Sequence, residues 1–598
     1  MGTIKSTVLI ISLLLIWPCL AHAENRDQQR KLFWQARQLL MAKRYPQFST
    51  LKVKLKAYPL YPYLIFIKLK QQGFYANSAE IDEFLQTYND TPLAVRLRAD
   101  WLAYLAKKQD WNHFIHYYQP IYGTPLQCYY LQSLLATQQK SLAFKKIASL
   151  WLEVNSPPSV CRKVFGRWEH SGGLNSDLIW KKLDQAMNKN NVNVIQHVAQ
   201  FLPSAQRRQV NHWYRVQRYP LLIKYRNQFD PDNTIDRKIL LFGMKRLANK
   251  DPIKLAEDWS QLNKVYDLTE AETQQILAVL AVGLARRGHS AAGNWLKKIK
   301  PAYADATLRE WRVRNSLLNG QWNQVIYWLD HMPHKEQQQP CWRYWRARAL
   351  AETKQIAAAN SIYTSLAKEV DYYGVLASQR LKLNYHPSTR NIVGDRAALG
   401  NNLAIQRAKE LLALGFVGEA RQEWLWALDS LSVSERQAAA QLAKQWGWFD
   451  LAIVGASKAN IHNDIKLRFP FAYRRSVLAA ARKTHLNSAW VWAIMRQESA
   501  FMWNAKSNAG ALGLMQIMPR TEQNIRLGST YLRQLLKLFD GNATLATASY
   551  NVGPNRVKHF QGLYQRLPKD VWVEILPWKE TRDYVKSVSL ARSIYSQI

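Results

Sequence analysis

Trp490, Ile494, Glu498 and Phe501 recur at helical spacing near the C-terminal end of the chain. A helix over this stretch sets the Glu498 carboxyl in line with apolar side chains, while Arg496 points elsewhere. A carboxyl in apolar surroundings holds its proton to higher pH, and one still protonated near neutrality is a general acid. The same pattern also describes a buried structural glutamate satisfied by backbone amides or an arginine. The supply of acids narrows the choice. From Lys466 to the end of the chain there are 20 Lys and Arg but only seven acidic residues: Glu498, Glu522, Asp540, Asp570, Glu574, Glu580 and Asp583. A basic cleft with few acids suits a polymer carrying carboxylates. His485 and His559 are isolated, and no His, Cys or acidic cluster has ligand spacing, so neither a metal nor a cofactor is expected. No phosphate-cradling glycine loop or serine-hydrolase motif is present.

The residues around Glu498 add spaced motifs. Glu498-Ser499-x-Phe501 and Ser507-x-x-Gly510-Ala511-x-Gly513-Leu514-Met515-Gln516-Ile517-Met518-Pro519 resemble the catalytic motif of lytic transglycosylases. Ala548-Ser549-Tyr550-Asn551-x-Gly553-Pro554 resembles their tyrosine-asparagine motif, and Glu580-Thr581-Arg582-x-Tyr584-Val585 the start of their closing helix. The resemblance implies cleavage of the β-1,4 bond between N-acetylmuramic acid and N-acetylglucosamine in peptidoglycan, leaving a 1,6-anhydro end. Glu498 is then the catalytic acid and base. Ser499 orients it or contacts the bridging sugar. Met515 supplies an apolar platform, and Gln516 an amide for N-acetyl or hydroxyl groups. Tyr550 and Asn551 hydrogen-bond near the acid and the scissile sugar, and Glu580 binds substrate. One departure stands out. After Met518-Pro519 the family continues through a helix and loop, whereas here Arg520-Thr521-Glu522-Gln523 leads directly into Asn524-Ile525. A stretch of one cleft wall is missing, so a peptidoglycan-binding scaffold without turnover is the alternative.

The elements that position these residues are helical. With 598 residues, 48% hydrophobic and 21% charged, the chain is globular and too long for one core. Apolar residues at three- and four-residue spacing, broken by short polar turns, predict an all-α arm of amphipathic helices. The turns include Ala106-Lys107-Lys108-Gln109-Asp110, Arg286-Arg287-Gly288-His289, Leu318-Asn319-Gly320-Gln321 and Glu352-Thr353-Lys354-Gln355. Leu284, Leu317 and Leu350 stand at a constant 33-residue step, as in degenerate tetratricopeptide-type pairs stacked into a solenoid. A break at Asn384-Tyr385-His386-Pro387-Ser388 opens a helical linker, in which Ser432 and Glu435 form a capping box. The expected organisation is a signal peptide at 1–23, a helical superhelix at 24–385, a linker domain at 386–460 and a catalytic domain at 461–598. The resemblance implies a doughnut-like superhelix and a lysozyme-like, mainly α catalytic domain.

Lys5, the apolar run from Thr7 to Ile16 and Ala21-His22-Ala23 read as an export signal cleaved near Ala23. No other segment is long and apolar enough to span a membrane. Export leaves Cys128, Cys161 and Cys341; Cys128 with Cys161 would close a loop within the arm, but the sequence leaves the pairing open. The net charge of +39 would suggest nucleic acid in a cytosolic protein. Export makes an anionic envelope polymer the better partner, so peptidoglycan strands, with other cell-wall enzymes, are expected and nucleic acid is not. Location in the periplasm as a monomer completes the reading.

Overall fold

The computed structural model describes residues 26–73, 78–230, 232–389, 394, 396–517 and 522–597. The expected signal peptide and the four residues 518–521 at the shortened wall lie outside them. Among the described residues there are helices, 3-10 turns and an isolated bridge between Lys506 and Leu512, with no strand. No helix among them is long and apolar enough to cross a membrane.

The chain forms two compact units, each built from two stretches: residues 1–203 with 395–435, and 204–394 with 436–598. In the first unit, buried carboxylates tie stretches that are distant in sequence. Glu410 accepts from Arg30 Nε at 2.9 Å and Tyr58 OH at 2.8 Å. Glu423, fully buried, accepts from Tyr63 OH and Arg407 Nε, both at 2.9 Å. A disulfide joins Cys128 to Cys161 across two helices, Thr124–Ala136 and Ser159–His170, and Cys341 is free. The capping box forms as expected: Ser432 N donates to Glu435 Oε2 at 2.8 Å, and Glu435 N to Ser432 Oγ at 3.3 Å.

The second unit contains the repeat. Helices α1 (Glu270–Arg286), α2 (Ala306–Leu318) and α3 (Pro340–Glu352) carry Leu284, Leu317 and Leu350 at equivalent places in their last turns. Leu284 and Leu317 are buried, and Leu350 packs against the core edge. Three or four residues after its leucine, each repeat reaches a left-handed residue that ends the helix: Gly288 (φ 65°), Gly320 (φ 63°) and Lys354 (φ 65°). Such a residue lets the chain turn back while its amide reaches the last carbonyls. Gln109 ends the helix Pro92–Lys108 in the same way, at φ 58°.

The repeat does not end at a free face. Its side chains Val313, Leu317, Trp342 and Trp345 share one core with Leu545, Trp572 and Val585. Those come from α7 (Ala543–Val552), α8 (Lys569–Glu574) and α9 (Lys579–Tyr595), which follow α4 (Tyr372–Arg380), α5 (Ser488–Ser499) and α6 (Glu522–Leu538) in the chain. Polar ties reinforce the apolar one. The short helix α8 presents two buried carboxylates one turn apart. Asp570 accepts from Tyr344 OH and Arg380 Nη2, each at 2.7 Å. Glu574, 1% exposed, accepts from Arg314 Nε at 3.1 Å, Lys586 Nζ at 2.8 Å and Tyr373 OH at 2.6 Å. Those neighbouring cations hold the Glu574 carboxyl far below the carboxylate range against the opposing effect of burial. Cys341 is 3.8 Å from Glu574 Oε2, and burial pushes its thiol up to about 12, which makes it unreactive.

Candidate active site

Asn487 starts α5 by accepting from Trp490 N, the N-cap arrangement that satisfies an otherwise orphaned amide. Trp490 and Ile494 are buried at 2% and 0% exposure, as the stripe predicts. The stripe departs from expectation at its end. The helix stops at Ser499, and Ala500 (φ 48°) and Phe501 (φ 70°) are both left-handed. Phe501 therefore reaches the core through a strained turn rather than by helical register. Two consecutive non-glycine residues in this region cost about 1 kcal/mol or more each. Ser499 offsets part of that strain. Its hydroxyl oxygen accepts from Phe501 N at 3.1 Å, while the hydroxyl faces Leu514 O at 2.9 Å and Met495 O at 3.1 Å.

The strained turn leaves Glu498 on the last turn of α5, half-buried. Burial raises its carboxyl from the ordinary 4.5 to about 7. Tyr584 OH, donating to Glu498 Oε1 at 2.6 Å, pulls the other way, and the charge of Glu580 pushes it further up. No cation of the helix quenches it. Arg496 lies across the Phe469 ring at 4.3 Å and donates to Arg468 O at 2.8 Å, and burial lowers its guanidinium to about 10.

Beyond Phe501 the chain makes a loop whose turns need glycine at Gly510 (φ 89°) and Gly513 (φ 79°). Asn524, in the first turn of α6 and fully buried, clamps this loop. Its Oδ1 accepts from Met515 N at 2.7 Å, and its Nδ2 donates to Leu512 O at 2.9 Å and Ile517 O at 2.7 Å. Tyr550 OH adds a fourth tie, to Met515 O at 2.9 Å.

The remaining expected site residues fall into two groups. Ser499 and Met515 are in the loop's framework. Met515, expected to offer a sugar an apolar face, is 0% exposed and packs so closely on Gly528 that a Cβ there would meet its sulfur at 2.4 Å. The Ser499 hydroxyl is occupied by backbone. Gln516 is half-buried, and its Nε2 donates to Gly513 O at 2.9 Å and Ala505 O at 3.3 Å. Its amide oxygen is the part left for a ligand. Asn551 and Glu580 are on the open side. Thr581 Oγ1 donates to Asn551 Oδ1 at 2.7 Å, which leaves the Asn551 amide NH2 as its donor. Glu580 is exposed on the first turn of α9. Tyr584, Thr581 and Asn524 escaped the sequence reading as site residues. Glu580 and Tyr584 stand one helical turn apart, and that spacing was the available signal for Tyr584.

This arrangement holds one carboxyl, titrating near pH 7, against the Tyr584 phenol and within reach of the Glu580 charge. The family model described as the transglycosylase SLT domain matches residues 475–523 and 521–573, and that of the soluble lytic murein transglycosylase L domain matches 398–465. The first match breaks where the sequence lacks the wall segment. A soluble lytic murein transglycosylase of Salmonella typhimurium is 28% identical over 96% of this chain and 93% of its own. Among solved structures, an inactive Glu→Gln mutant of the lytic transglycosylase Slt from Pseudomonas aeruginosa is 33% identical, with a TM-score of 0.83 over 95% of this chain and 96% of that one. The 70 kDa soluble lytic transglycosylase of Escherichia coli is 25% identical, with a TM-score of 0.82 over 96% and 97%.

Proposed function

Because this chain belongs to the soluble lytic transglycosylase family, we infer that it is a lytic transglycosylase acting on peptidoglycan. It cleaves the β-1,4 bond between N-acetylmuramic acid and N-acetylglucosamine. The observation that carries the mechanism is the Glu498 carboxyl, raised to about 7 by burial and held by Tyr584. Protonated, Glu498 donates to the glycosidic oxygen as the bond to the muramic C1 breaks. As a carboxylate, it then takes the proton of the muramic C6 hydroxyl while that oxygen bonds to C1. The proton returns to Glu498, the product ends in a 1,6-anhydro ring, and no water is consumed. A usual glycosidase needs a second carboxylate as nucleophile or base; here the substrate's N-acetyl group shields the developing positive charge.

Within this reading Gln516, Asn551 and Glu580 contact the glycan, and Tyr550 acts from the loop it ties down. Ser499 and Met515 serve substrate through the backbone they fix. The domains run as superhelix 24–385, linker 386–460 and catalytic domain 461–598. The protein is exported to the periplasm and acts there as a monomer, alongside other cell-wall enzymes. The scaffold alternative is disfavoured by Asn524, whose three hydrogen bonds hold the loop from the far side of the shortening.

Digestion of purified sacculi followed by mass spectrometry tests the reading. Anhydromuropeptides from the wild type, and their loss in Glu498→Gln, are expected. No such product from the wild type would refute the activity, and undiminished product from the variant would refute the assigned acid.

A further inference from the structure

A cavity of about 710 Å³ lies away from Glu498, at the other end of α5. Trp490 is on its wall, eight residues before Glu498, about 12 Å along the helix. The charges on its wall are unbalanced. Arg380, Lys569 and Arg592 face Asp570 as the carboxylate among its lining residues. Asp570 is already fully engaged. Its Oδ2 takes Tyr344 OH and Arg380 Nη2, and its Oδ1 takes Val571 N at 3.0 Å. Lys569 and Arg592 have no carboxylate partner among the described residues. The Arg592 guanidinium is over the Trp490 ring at 5.6 Å. Arg592 is half-buried, and burial lowers its pKa, while Lys569 stands at the exposed rim of the cavity, where partial loss of solvent and the charge of Arg592 lower its own. Two cations held together without a counterion are a standing cost that an anion relieves.

We propose that this cavity is a second binding site, for a short peptide bearing free carboxylates. Lys569 and Arg592 would receive its carboxylates, Ser589 and Ser593 would offer hydroxyls, and Leu376 and the exposed Leu383 would pack its small apolar side chains. The volume lies in the range of sites for small molecules. A neutral sugar would leave the two cations unrelieved, whereas a dicarboxylate peptide matches them. The assignment of the peptide to the cell wall rests on the proposed activity, since peptidoglycan is what brings acidic stem peptides to this protein. A ligand here touches α5 and α9, the two helices that carry Glu498 and Tyr584, at the end of α5 away from Glu498.

Isothermal calorimetry on the full chain tests this, with the dipeptide L-Ala-D-Glu in one arm and inorganic phosphate in the other. With 24 tryptophans in the chain, intrinsic fluorescence would not isolate Trp490. The dipeptide is expected to bind the wild type and Glu498→Gln with equal affinity. The double variant Lys569→Gln, Arg592→Gln should weaken it at least tenfold, and Lys569→Gln alone, at an exposed residue, should show part of that loss. Absence of dipeptide binding, binding unchanged in both variants, or phosphate binding as tightly as the dipeptide would each overturn the proposal. Anhydro-product formation by the same wild-type preparation is a separate readout, so failure of the cavity and failure of the activity are distinguishable.

Discussion

Replacing Tyr584 by Phe removes one hydroxyl and leaves the ring. The lost contact is the 2.6 Å hydrogen bond to Glu498 Oε1, which opposes the rise that burial imposes on the carboxyl. Such a bond favours the ionised form over the neutral one. Its loss therefore raises the Glu498 pKa beyond about 7. A hydrogen bond to a charged group contributes about 1.5–3 kcal/mol, and one pKa unit is about 1.4 kcal/mol, so a rise of about one to two units is expected. As the acid, Glu498 must start protonated, and the rate falls as pH climbs through its pKa. The alkaline limb of the pH–rate profile for anhydromuropeptide release should thus move up by about one unit or more in Tyr584→Phe, while the maximal rate drops because the carboxyl is less well oriented. An unmoved alkaline limb, or one shifted to lower pH, would refute the assignment of that limb to Glu498 and of Tyr584 as its brake.

Three further substitutions probe the frame. In Glu498→Gln the effect on stability is the reverse of the usual carboxylate case. A carboxyl raised from 4.5 to about 7 on folding destabilises the folded protein above pH 7 by up to about 3 kcal/mol, and not at all below 4.5. The variant should melt higher than wild type at pH 8 and together with it at pH 4, and equal melting at pH 8 would contradict the buried, ionisable Glu498. Glu574→Gln leaves Arg314 and Lys586 buried beside a neutral amide; a loss of about 3–5 kcal/mol is expected in denaturant unfolding of the second unit, and a change under 1 kcal/mol would show that the ion cluster is dispensable. Gly528→Ala drives a Cβ to within 2.9 Å of the Met515 Cβ, which a flexible side-chain end cannot absorb; a destabilisation of about 1–3 kcal/mol with a lower rate of product release should follow, and wild-type behaviour would mean that Met515 is free to move.

The parts of this fold that were legible in the sequence are those governed by local period. The Trp490–Ile494–Glu498 stripe, the 33-residue leucine step and the Ser432–Glu435 box each concern residues within one element or one repeat, and each stands as read. Period tells which face an element buries but not what lies across from it. Tyr584 is 86 positions from Glu498, and nothing in either helix alone pairs them. The same blindness gave Met515 an exposed role, because a motif does not reveal that Gly528 leaves room for its side chain to sink. Phe501 was placed by extending a helix that two left-handed residues end.

The shortened wall shows how the two kinds of information combine. From sequence alone, the catalytic helix and the tyrosine motif survive the loss of a segment after Pro519, while the grip on substrate, and with it activity, is in doubt. The structure shows what holds the acid. Glu498 is set by α5, the Ser499 contacts and Tyr584, all outside the shortened stretch. The loop facing it is set by Asn524, which α6 delivers in its first turn and which spends its carbonyl and its NH2 on the loop backbone. A wall missing between these two fixed pieces removes surface that a glycan would touch, and none of the groups that hold the acid. The shortening is therefore expected to raise KM more than it lowers kcat, and steady-state kinetics of anhydromuropeptide release, compared with a relative that keeps the full wall, would check this.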